Sequence, residues 1–330
     1  MSPKTLPKYK MVIKNDTLPL YLRTKYIPVS YDTMDPLNIL WNIHDTAINE
    51  MNVIDTKPDT SLLDLKIEIA KKLFSDCIFC EHRCHIDRTK ESGKCGVSTS
   101  LISSDFIHYG EETIFTPSHT IFFSGCNFKC KFCQNHDISQ HQKGLFISPS
   151  QLAMRINNAK RNGAININWV GGEPTPHIWY ILETLKISDT HLPQLFNSNM
   201  YCSRETMNLL SGIIDMYLTD YKFGNDTCAR QLAHIPSYNQ IVQRNHILAK
   251  KQAEIFIRHL VLPNHVSCCS KPVLSWIGTN LPTVPVNIMD QYYPAHTVKR
   301  IFGMNRSCSL SEIKEVESFA KSLSIKTYSK

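Results

Sequence analysis

The sequence predicts an α/β fold built on parallel strands. From about residue 119 onward, short apolar runs alternate with helix-length amphipathic segments, giving six strand–helix repeats. Parallel neighbours need long crossovers, and the intervening helices supply them. The chain has 330 residues, 42% apolar and 20% charged, enough for one large core or a core with an appendage. Periodicity leaves open whether the strands form a doubly wound sheet or a partial barrel.

In chain order, residues 1–33 carry several prolines and weak periodicity, which predicts an extended arm. Asp35-Pro36 reads as an N-cap and first-turn proline, opening a helix to about residue 52. A second helix follows Ser61, with Asp64 three residues on. Leu62, Leu65, Ile69 and Leu73 form one apolar stripe, and Leu63, Ile67, Ala70 and Phe74 the adjacent one, together a packing face. A cysteine-rich stretch then runs from Cys77 to Cys95. Strands are expected at 119–124, 165–170, 194–197, 216–219, 254–260 and 284–289. Helices at 149–162, 176–186, 204–210 and 271–279 alternate with them, helical material reaches Lys251, and a last helix covers 311–323. The expected division is an N-terminal arm and helices (1–75), a Cys-rich metal-binding segment (76–110), a catalytic domain (111–300) and a helical tail (301–330).

Composition narrows the setting. No run of about 18 apolar residues occurs, so no membrane partner is expected. The opening Met-Ser-Pro-Lys has no apolar stretch of signal-peptide type. Twelve cysteines in such a chain point to a reducing cytoplasm, where clustered thiols bind metal. The net charge of +7 is scattered over sites such as Lys8-Tyr-Lys10, Lys71-Lys72, Lys250-Lys251 and Lys299-Arg300. It reads as a solvated surface and argues against a nucleic-acid groove. None of the fourteen histidines forms an H-x-x-x-H pair suited to zinc hydrolysis.

The most specific motif is Cys126-Asn-Phe-Lys-Cys130-Lys-Phe-Cys133. Its C-x3-C-x2-C spacing puts three thiolates on one tight loop, enough for three irons of a cubane cluster. The fourth iron stays open to a small molecule, as a catalytic centre requires; a structural centre closes its shell. The rival reading is a structural zinc loop without its fourth ligand. Gly171-Gly172-Glu173-Pro174 follows the second predicted strand, where two glycines allow close backbone approach and Glu173 offers a carboxylate. Taken alone this tetrapeptide is a turn. Asn197 and Asn199, Asp220 and Lys222, Arg258-His259, and Asn287 fall at later strand ends and line one rim.

The cysteine loop, with Phe132 before its last cysteine, resembles the signature of the radical S-adenosylmethionine (SAM) superfamily, and the Gly-Gly-Glu-Pro turn matches the element that contacts the SAM amino group there. Thr219-Asp-Tyr-Lys222-Phe-Gly, Ile257-Arg-His-Leu-Val-Leu-Pro263 and Gln291-Tyr-Tyr-Pro294 extend the resemblance over about residues 75–300. They are similar to the activating-enzyme branch, specifically PflX-type relatives of pyruvate formate-lyase activating enzyme. The resemblance implies a partial (β/α)6 TIM-like barrel with an N-terminal helical, Cys-rich extension. It implies a 4Fe-4S cluster on Cys126, Cys130 and Cys133. It also implies S-adenosyl-L-methionine bound by Gly171, Gly172, Glu173, Asn197, Asp220, Lys222 and Arg258, with Lys222 at the carboxylate and Arg258 and Asn197 near the ribose. The implied reaction is reductive cleavage of SAM to a 5′-deoxyadenosyl radical that abstracts hydrogen from substrate, with a reduced flavodoxin- or ferredoxin-type electron donor. The substrate is a protein or small molecule. Activation of a glycyl-radical enzyme is one version, and radical modification of RNA or a peptide is another. A zinc-ribbon nucleic-acid-binding protein is the non-enzymatic alternative. The long N-terminal region and extra cysteines depart from a minimal activase.

A second set, Cys77-x2-Cys80-x3-Cys84-x10-Cys95, has Gly93 and Gly96 beside its last member. Four sulfurs can close around one metal. The set reads either as a structural zinc or iron site or as a second iron–sulfur cluster, with His82 and His85 interleaved as substitute ligands. Cys202, Cys228, Cys268, Cys269 and Cys308 lack ligand spacing and read as buried, inert thiols, although Cys268-Cys269 follows the fifth strand on the catalytic rim.

Overall fold

Hydrogen bonding joins the eight strands in the order in which they occur along the chain. The computed structural model describes residues 6–328. Helices α1 (Pro7–Ile13), α2 (Leu20–Thr24), α3 (Leu37–Glu50) and α4 (Leu62–Ser75) come first. Strand β1 (Ile102–His108) pairs antiparallel with β2 (Ser118–Phe123). After α5 (His136–Ser139) and α6 (Pro149–Arg161), β3 (Asn166–Gly171) leads to α7 (Ile178–Ile187), and β4 (Gln194–Ser198) to α8 (Arg204–Leu210). Then come β5 (Met216–Asp220), α9 (Asp226–Ala233), α10 (Tyr238–Gln252), β6 (Glu254–Leu260), α11 (Lys271–Asn280), β7 (Val286–Met289), α12 (Leu310–Ser322) and β8 (Thr327–Tyr328). Every pair from β2 to β8 is parallel, so the fold is α/β around a mixed eight-stranded sheet.

The six predicted strands correspond to β2–β7, with ends displaced by at most two residues. The edge strands lie outside the periodic pattern. β1 is largely polar and half-exposed, and β8 is two residues long. The arm expected to be extended over 1–33 carries helices α1 and α2 instead, because burial of Tyr9, Tyr21 and Leu22 overrides weak local preference. The first five residues of that arm, and the last two of the tail over 301–330, lie outside the described residues. α3 starts one residue later than the Asp35 cap predicts. Pro36 is its N-cap, and Asp35 Oδ2 accepts from the Asp32 N–H at 2.9 Å. α4 keeps its predicted start: Ser61 and Asp64 form a reciprocal capping box, and its apolar stripes are buried against α3 and α7.

Two devices seal the N-terminal end of the sheet. In α1, the Tyr9 N–H donates to Glu254 Oε2 at 2.8 Å, and its hydroxyl accepts from Asn166 Nδ2 at 2.8 Å. Those partners start β6 and β3, so Tyr9 plugs the strand beginnings, packed with Phe115, Leu195, Met216 and Phe256. Tyr328 on β8 accepts from the Thr113 N–H at 3.0 Å, which brings the last strand to the β1–β2 connection and curls the sheet. The strand ends on the opposite side are left to form the cavity.

Buried polar groups tie the helical arm down. Lys66 Nζ reaches His44 Nε2 at 2.6 Å and the Asn208 and Leu209 carbonyls at 3.2 and 3.1 Å, at the end of α8. Burial pushes the Lys66 ammonium well below its ordinary range, and the two carbonyls at the helix C-terminus and the His44 ring give it partners. Burial, then the Lys66 charge, holds His44 down to about 2, which keeps its ring neutral.

Asp215, just before β5, accepts from the Leu20 N–H at 2.9 Å and the Gln194 N–H at 2.7 Å. Burial lifts its pKa from 3.8 to about 7 against those hydrogen bonds. Between those values the native state holds a proton that the unfolded chain has released, so this group's contribution to stability falls as pH rises. Each pH unit is worth about 1.4 kcal/mol, or about 3 kcal/mol between pH 5 and 7. Urea unfolding at pH 5 and pH 8 should show the wild type losing about that much more stability than Asp215→Asn. An equal loss in both proteins contradicts the assignment.

Candidate active site

β2 ends at Phe123, and the chain turns through Gly125, φ +93°, into the cysteine loop. Backbone bonds hold this loop on three sides. The Cys126 N–H donates to the Cys95 carbonyl at 3.3 Å, and Lys129 and Lys131 donate to Ala233 and Leu232 at 3.0 and 2.8 Å, at the end of α9. The Phe128 N–H points at Cys126 Sγ at 3.3 Å. Phe128 packs on Tyr201 and Tyr238, and Phe132 on Phe223 and Tyr292, an aromatic jacket around the loop.

Cys126, Cys130 and Cys133 all line one cavity of about 390 Å³. Burial pushes the Cys126 thiol well up, with Glu173 adding to it, and burial with Cys133 raises Cys130 to about 12. Two buried thiols that resist ionisation, with the half-buried Cys133 beside them, call for a compensating cation, which is the environment a metal cluster fits.

The β3 exit lies against this loop. The Gly172 N–H donates to the Phe123 carbonyl at 2.8 Å, and Gly171 has φ +119°. A Cβ on Gly171 would overlap the Phe123 backbone, and one on Gly172 the Gly125 carbonyl. The pair is therefore demanded first by backbone-on-backbone contact, and it also lines the cavity. Glu173 is 2% exposed. Its Oε1 accepts from Thr175 Oγ1 and Ser198 Oγ, both at 2.6 Å, and its Oε2 from the Asn199 N–H at 2.9 Å. Burial raises its pKa while these donors oppose the rise.

Asn197, Asp220, Lys222, Arg258 and Asn287 line the same cavity, as the rim pattern predicts. Lys222 is ion-paired with Asp220. Burial opposes its charge, but Asp220 and the Cys130 and Cys126 sulfurs outweigh burial and raise its pKa. Arg258, expected near a ribose, lines the cavity as an ion-paired residue. Its guanidinium is engaged by Glu111 and by Glu112, whose Oε1 accepts from Nε at 3.0 Å. Asn287 Nδ2 donates to the same Glu112 oxygen at 2.6 Å, and Asn168 Nδ2 to Glu111 at 3.2 Å. His259 is a satisfied core residue, bonded to the Tyr221 carbonyl at 2.7 Å and Ser270 Oγ at 2.8 Å. Glu111 and Glu112 are cavity residues that strand-end reasoning misses. Their one signal is a pair of adjacent carboxylates directly before the apolar Ile114-Phe115.

Cys77, Cys80, Cys84 and Cys95 lie outside the cavity but adjoin it. Beyond the Cys95–Cys126 contact, His82 Nε2 lies 2.8 Å from the Asn127 carbonyl, and the Cys80 backbone pairs antiparallel with that of Cys202. Burial pushes the Cys80 thiol well up and the Cys95, Cys77 and Cys84 sulfurs add to it, and a Cβ at Gly93 would sit 2.9 Å from Cys84 Sγ. His85 Nδ1 pairs with Asp76 at 3.0 Å, so each interleaved histidine has one ring nitrogen held by an oxygen acceptor. Arg88 supplies a test of fit. It is 1% exposed, donates to the Val97 and Pro176 carbonyls at 2.9 and 2.7 Å, and leaves Nη2 without a partner. Burial raises Cys77, and the Arg88 charge is the first influence drawing it down. A buried cation beside four thiols suits an anionic metal–thiolate group.

Among the described residues, no helix is long and apolar enough to cross a membrane. A family model described as the Radical SAM superfamily matches residues 120–267, the span of the cysteine loop and the Gly-Gly-Glu-Pro turn. The chain is 42% identical over 331 residues to a Methanocaldococcus jannaschii protein described as uncharacterized protein MJ0674, covering 96% of this chain and 97% of that one. It is 30% identical over 91 residues to 7-carboxy-7-deazaguanine synthase of Bacteroides thetaiotaomicron, 28% of this chain and 41% of that enzyme. Among solved structures, methylornithine synthase (PylB) aligns with 97% of this chain and 78% of its own at 14% identity and a TM-score of 0.46. Streptococcus suis SuiB bound to S-adenosylmethionine aligns with 62% of this chain at 12% identity and a TM-score of 0.45, and this chain spans 48% of SuiB. Similarities of that degree carry no functional argument. The family match, with its cysteine loop facing the cavity, does: residues 120–267 form a Radical SAM superfamily domain.

Proposed function

We propose that this protein is a radical SAM enzyme in which Cys126, Cys130 and Cys133 hold a 4Fe-4S cluster and the adjoining strand ends hold SAM. The observation that carries the reading is that the Cys126, Cys130 and Cys133 thiols, the fixed Glu173 carboxylate and the Lys222 ammonium share one cavity. Such cofactors, once bound, supply one-electron cleavage of SAM and a 5′-deoxyadenosyl radical that takes hydrogen from substrate.

The chain's own residues divide the remaining work. Glu173, held by neutral donors on both oxygens, would accept the SAM ammonium. Lys222, kept protonated beside Asp220, would meet the carboxylate. Gly171 and Gly172 let the ligand approach the backbone, and Asn197 offers its amide to the ribose. Arg258, engaged by Glu111 and Glu112, positions those carboxylates on the substrate side and does not itself reach the ribose. Phe128 and Phe132 keep water from the loop.

The curled sheet reads as a partial (β/α)6 barrel over 111–300, flanked by the helical arm 1–75, the Cys-rich segment 76–110 and the tail 301–330. The upstream cysteines would hold a second metal, zinc, iron or iron–sulfur, with Arg88 balancing its charge. A reduced flavodoxin- or ferredoxin-type protein would be the electron source. Activation of a glycyl-radical enzyme rests on the PflX-type motifs Thr219–Gly224, Ile257–Pro263 and Gln291–Pro294.

Anaerobic incubation with reductant and SAM tests the reading. Cys130→Ala should lose both the cluster and deoxyadenosine formation, and retained SAM cleavage in that variant overturns the assignment. Glu173→Gln preserves shape but removes the charge. It should keep its iron yet bind SAM about 10- to 100-fold more weakly, read from the SAM-induced change in the cluster's electron paramagnetic resonance spectrum. In Gly172→Ala the added methyl meets the Gly125 carbonyl, so stability should drop by about 1–3 kcal/mol and iron incorporation with it.

A further inference from the structure

Three cysteines distant in sequence meet beside the β5 exit. Cys228 is the third residue of α9, and Cys268 and Cys269 lie in the π-helical turn Val266–Ser270 that leads into α11. Cys228 Sγ is 3.9 Å from Cys268 Sγ, which is 4.0 Å from Cys269 Sγ, and all three lie within 4.8 Å of one another. Among the described residues they are the one such trio of histidine, cysteine or carboxylate ligand atoms. Their sequence spacing gives no hint of this, so the reading of them as separate inert thiols does not hold for their placement.

The arrangement is built by the backbone around them. Gly224 comes so near the turn that a Cβ there would sit 2.7 Å from the carbonyls of both Cys268 and Cys269. Asn225 Oδ1 caps α9 by accepting from the Cys228 N–H at 2.8 Å, and its Nδ2 donates to the Cys268 carbonyl at 2.7 Å. The same amide lies 3.3 Å from Cys228 Sγ. Both cysteine-bearing elements are thus locked together independently of the sulfurs. Cys228 and Cys269 are buried, while Cys268 is exposed and leaves a path of entry.

The spacing selects the ligand. At a metal–sulfur distance of about 2.3 Å, three thiolates stand about 3.8 Å apart around a tetrahedral ion and about 4.0 Å around a trigonal one. The Cys228–Cys268 and Cys268–Cys269 separations match both, and the third pair lies within 4.8 Å. A disulfide would need two of these sulfurs to close to about 2.05 Å, against the backbone contacts that hold them apart. Sulfur donors select soft and borderline cations over magnesium or calcium.

We propose that Cys228, Cys268 and Cys269 form a three-thiolate site for a d10 cation such as zinc, with a fourth position open to solvent beside Cys268. Binding releases the three thiol protons and involves no electron transfer, so retention weakens as pH falls. The site would clamp α9 to the turn before α11 around Lys222-Phe223-Gly224. It stands independently of the radical SAM reading.

The test uses the full-length, anaerobically iron-loaded protein, incubated with zinc chloride, desalted and analysed for metal beside Cys228→Ser and Cys268→Ala. The wild type should retain about one zinc more per chain than either variant, with iron unchanged in all three. Zinc at the upstream cysteines is common to all three and cancels. Replacing zinc with cobalt(II) should give thiolate charge-transfer absorption that both variants reduce. Cys268 is exposed, so its alanine variant remains informative should Cys228→Ser unfold. Equal zinc retention in the wild type and Cys268→Ala, or a disulfide among the three in the anaerobic protein, overturns the proposal.

Discussion

The Gly172 N–H donates to the Phe123 carbonyl at 2.8 Å, and the cavity depends on how near that contact brings two strand exits. Side chains cannot mediate such an approach, because the first carbon of any side chain would enter the β2 backbone at Gly171 and the Gly125 carbonyl at Gly172. The reward is rigidity where a catalytic loop needs it. The cysteine loop is short, buries Phe128 and Phe132 and is pinned by main-chain bonds to three separate segments, so its sulfurs face the cavity before any ligand arrives. The α1 plug at the opposite end of the sheet completes the same logic. With Tyr9 tied to Glu254 and Asn166, the strand beginnings are sealed and only the strand ends remain open.

Charge pairing inside the cavity explains what the site is prepared to receive. Glu111 and Glu112 are answered by Arg258, and Asp220 by Lys222. Among the described cavity carboxylates, Glu173 alone faces only neutral donors, and burial raises its pKa as expected for an uncompensated anion. Neutral donors fix its orientation without cancelling its charge, so a cationic ligand group gains the full interaction in a dry setting. Three thiols nearby pose the complementary demand for positive charge. An amino-bearing ligand bridging a metal cluster and Glu173 satisfies both at once.

Much of this was legible in the sequence, for physical reasons. β2–β7 are buried on both faces and read as apolar runs. The α4 start declares itself through Ser61 and Asp64, and the cysteine loop through spacing alone. Other features lacked a local signal. β8 exists because β7 templates it, and α1 and α2 exist because Tyr9 and Tyr21 find buried sites far along the chain. Arg258 looks like a ligand contact until Glu112, 146 residues earlier, is found beside it. The Cys228–Cys268 approach spans 40 residues and arises from Gly224 fitting under the turn that carries Cys268. Tertiary pairing of this kind is invisible to periodicity, which reports only what each segment buries.

The two cysteine sets cannot act as separate modules. The Cys95 carbonyl accepts from the Cys126 N–H, and Val97, two residues on, packs so near Gly125 that any side chain there would collide with it. Arg88 fastens the same stretch by donating to the Val97 carbonyl while its charge bears on Cys77. Under the proposed occupancy, a metal on the upstream thiols gives that charge a buried counterpart and stiffens residues 93–97, the surface on which the catalytic loop rests. Loss of that metal would leave Arg88 as an uncompensated buried cation, and relief of its desolvation would loosen Val97 first. The disturbance would then pass to Gly125 and Cys126 through contacts already in place. The extension thereby becomes part of the wall that shapes the active cavity.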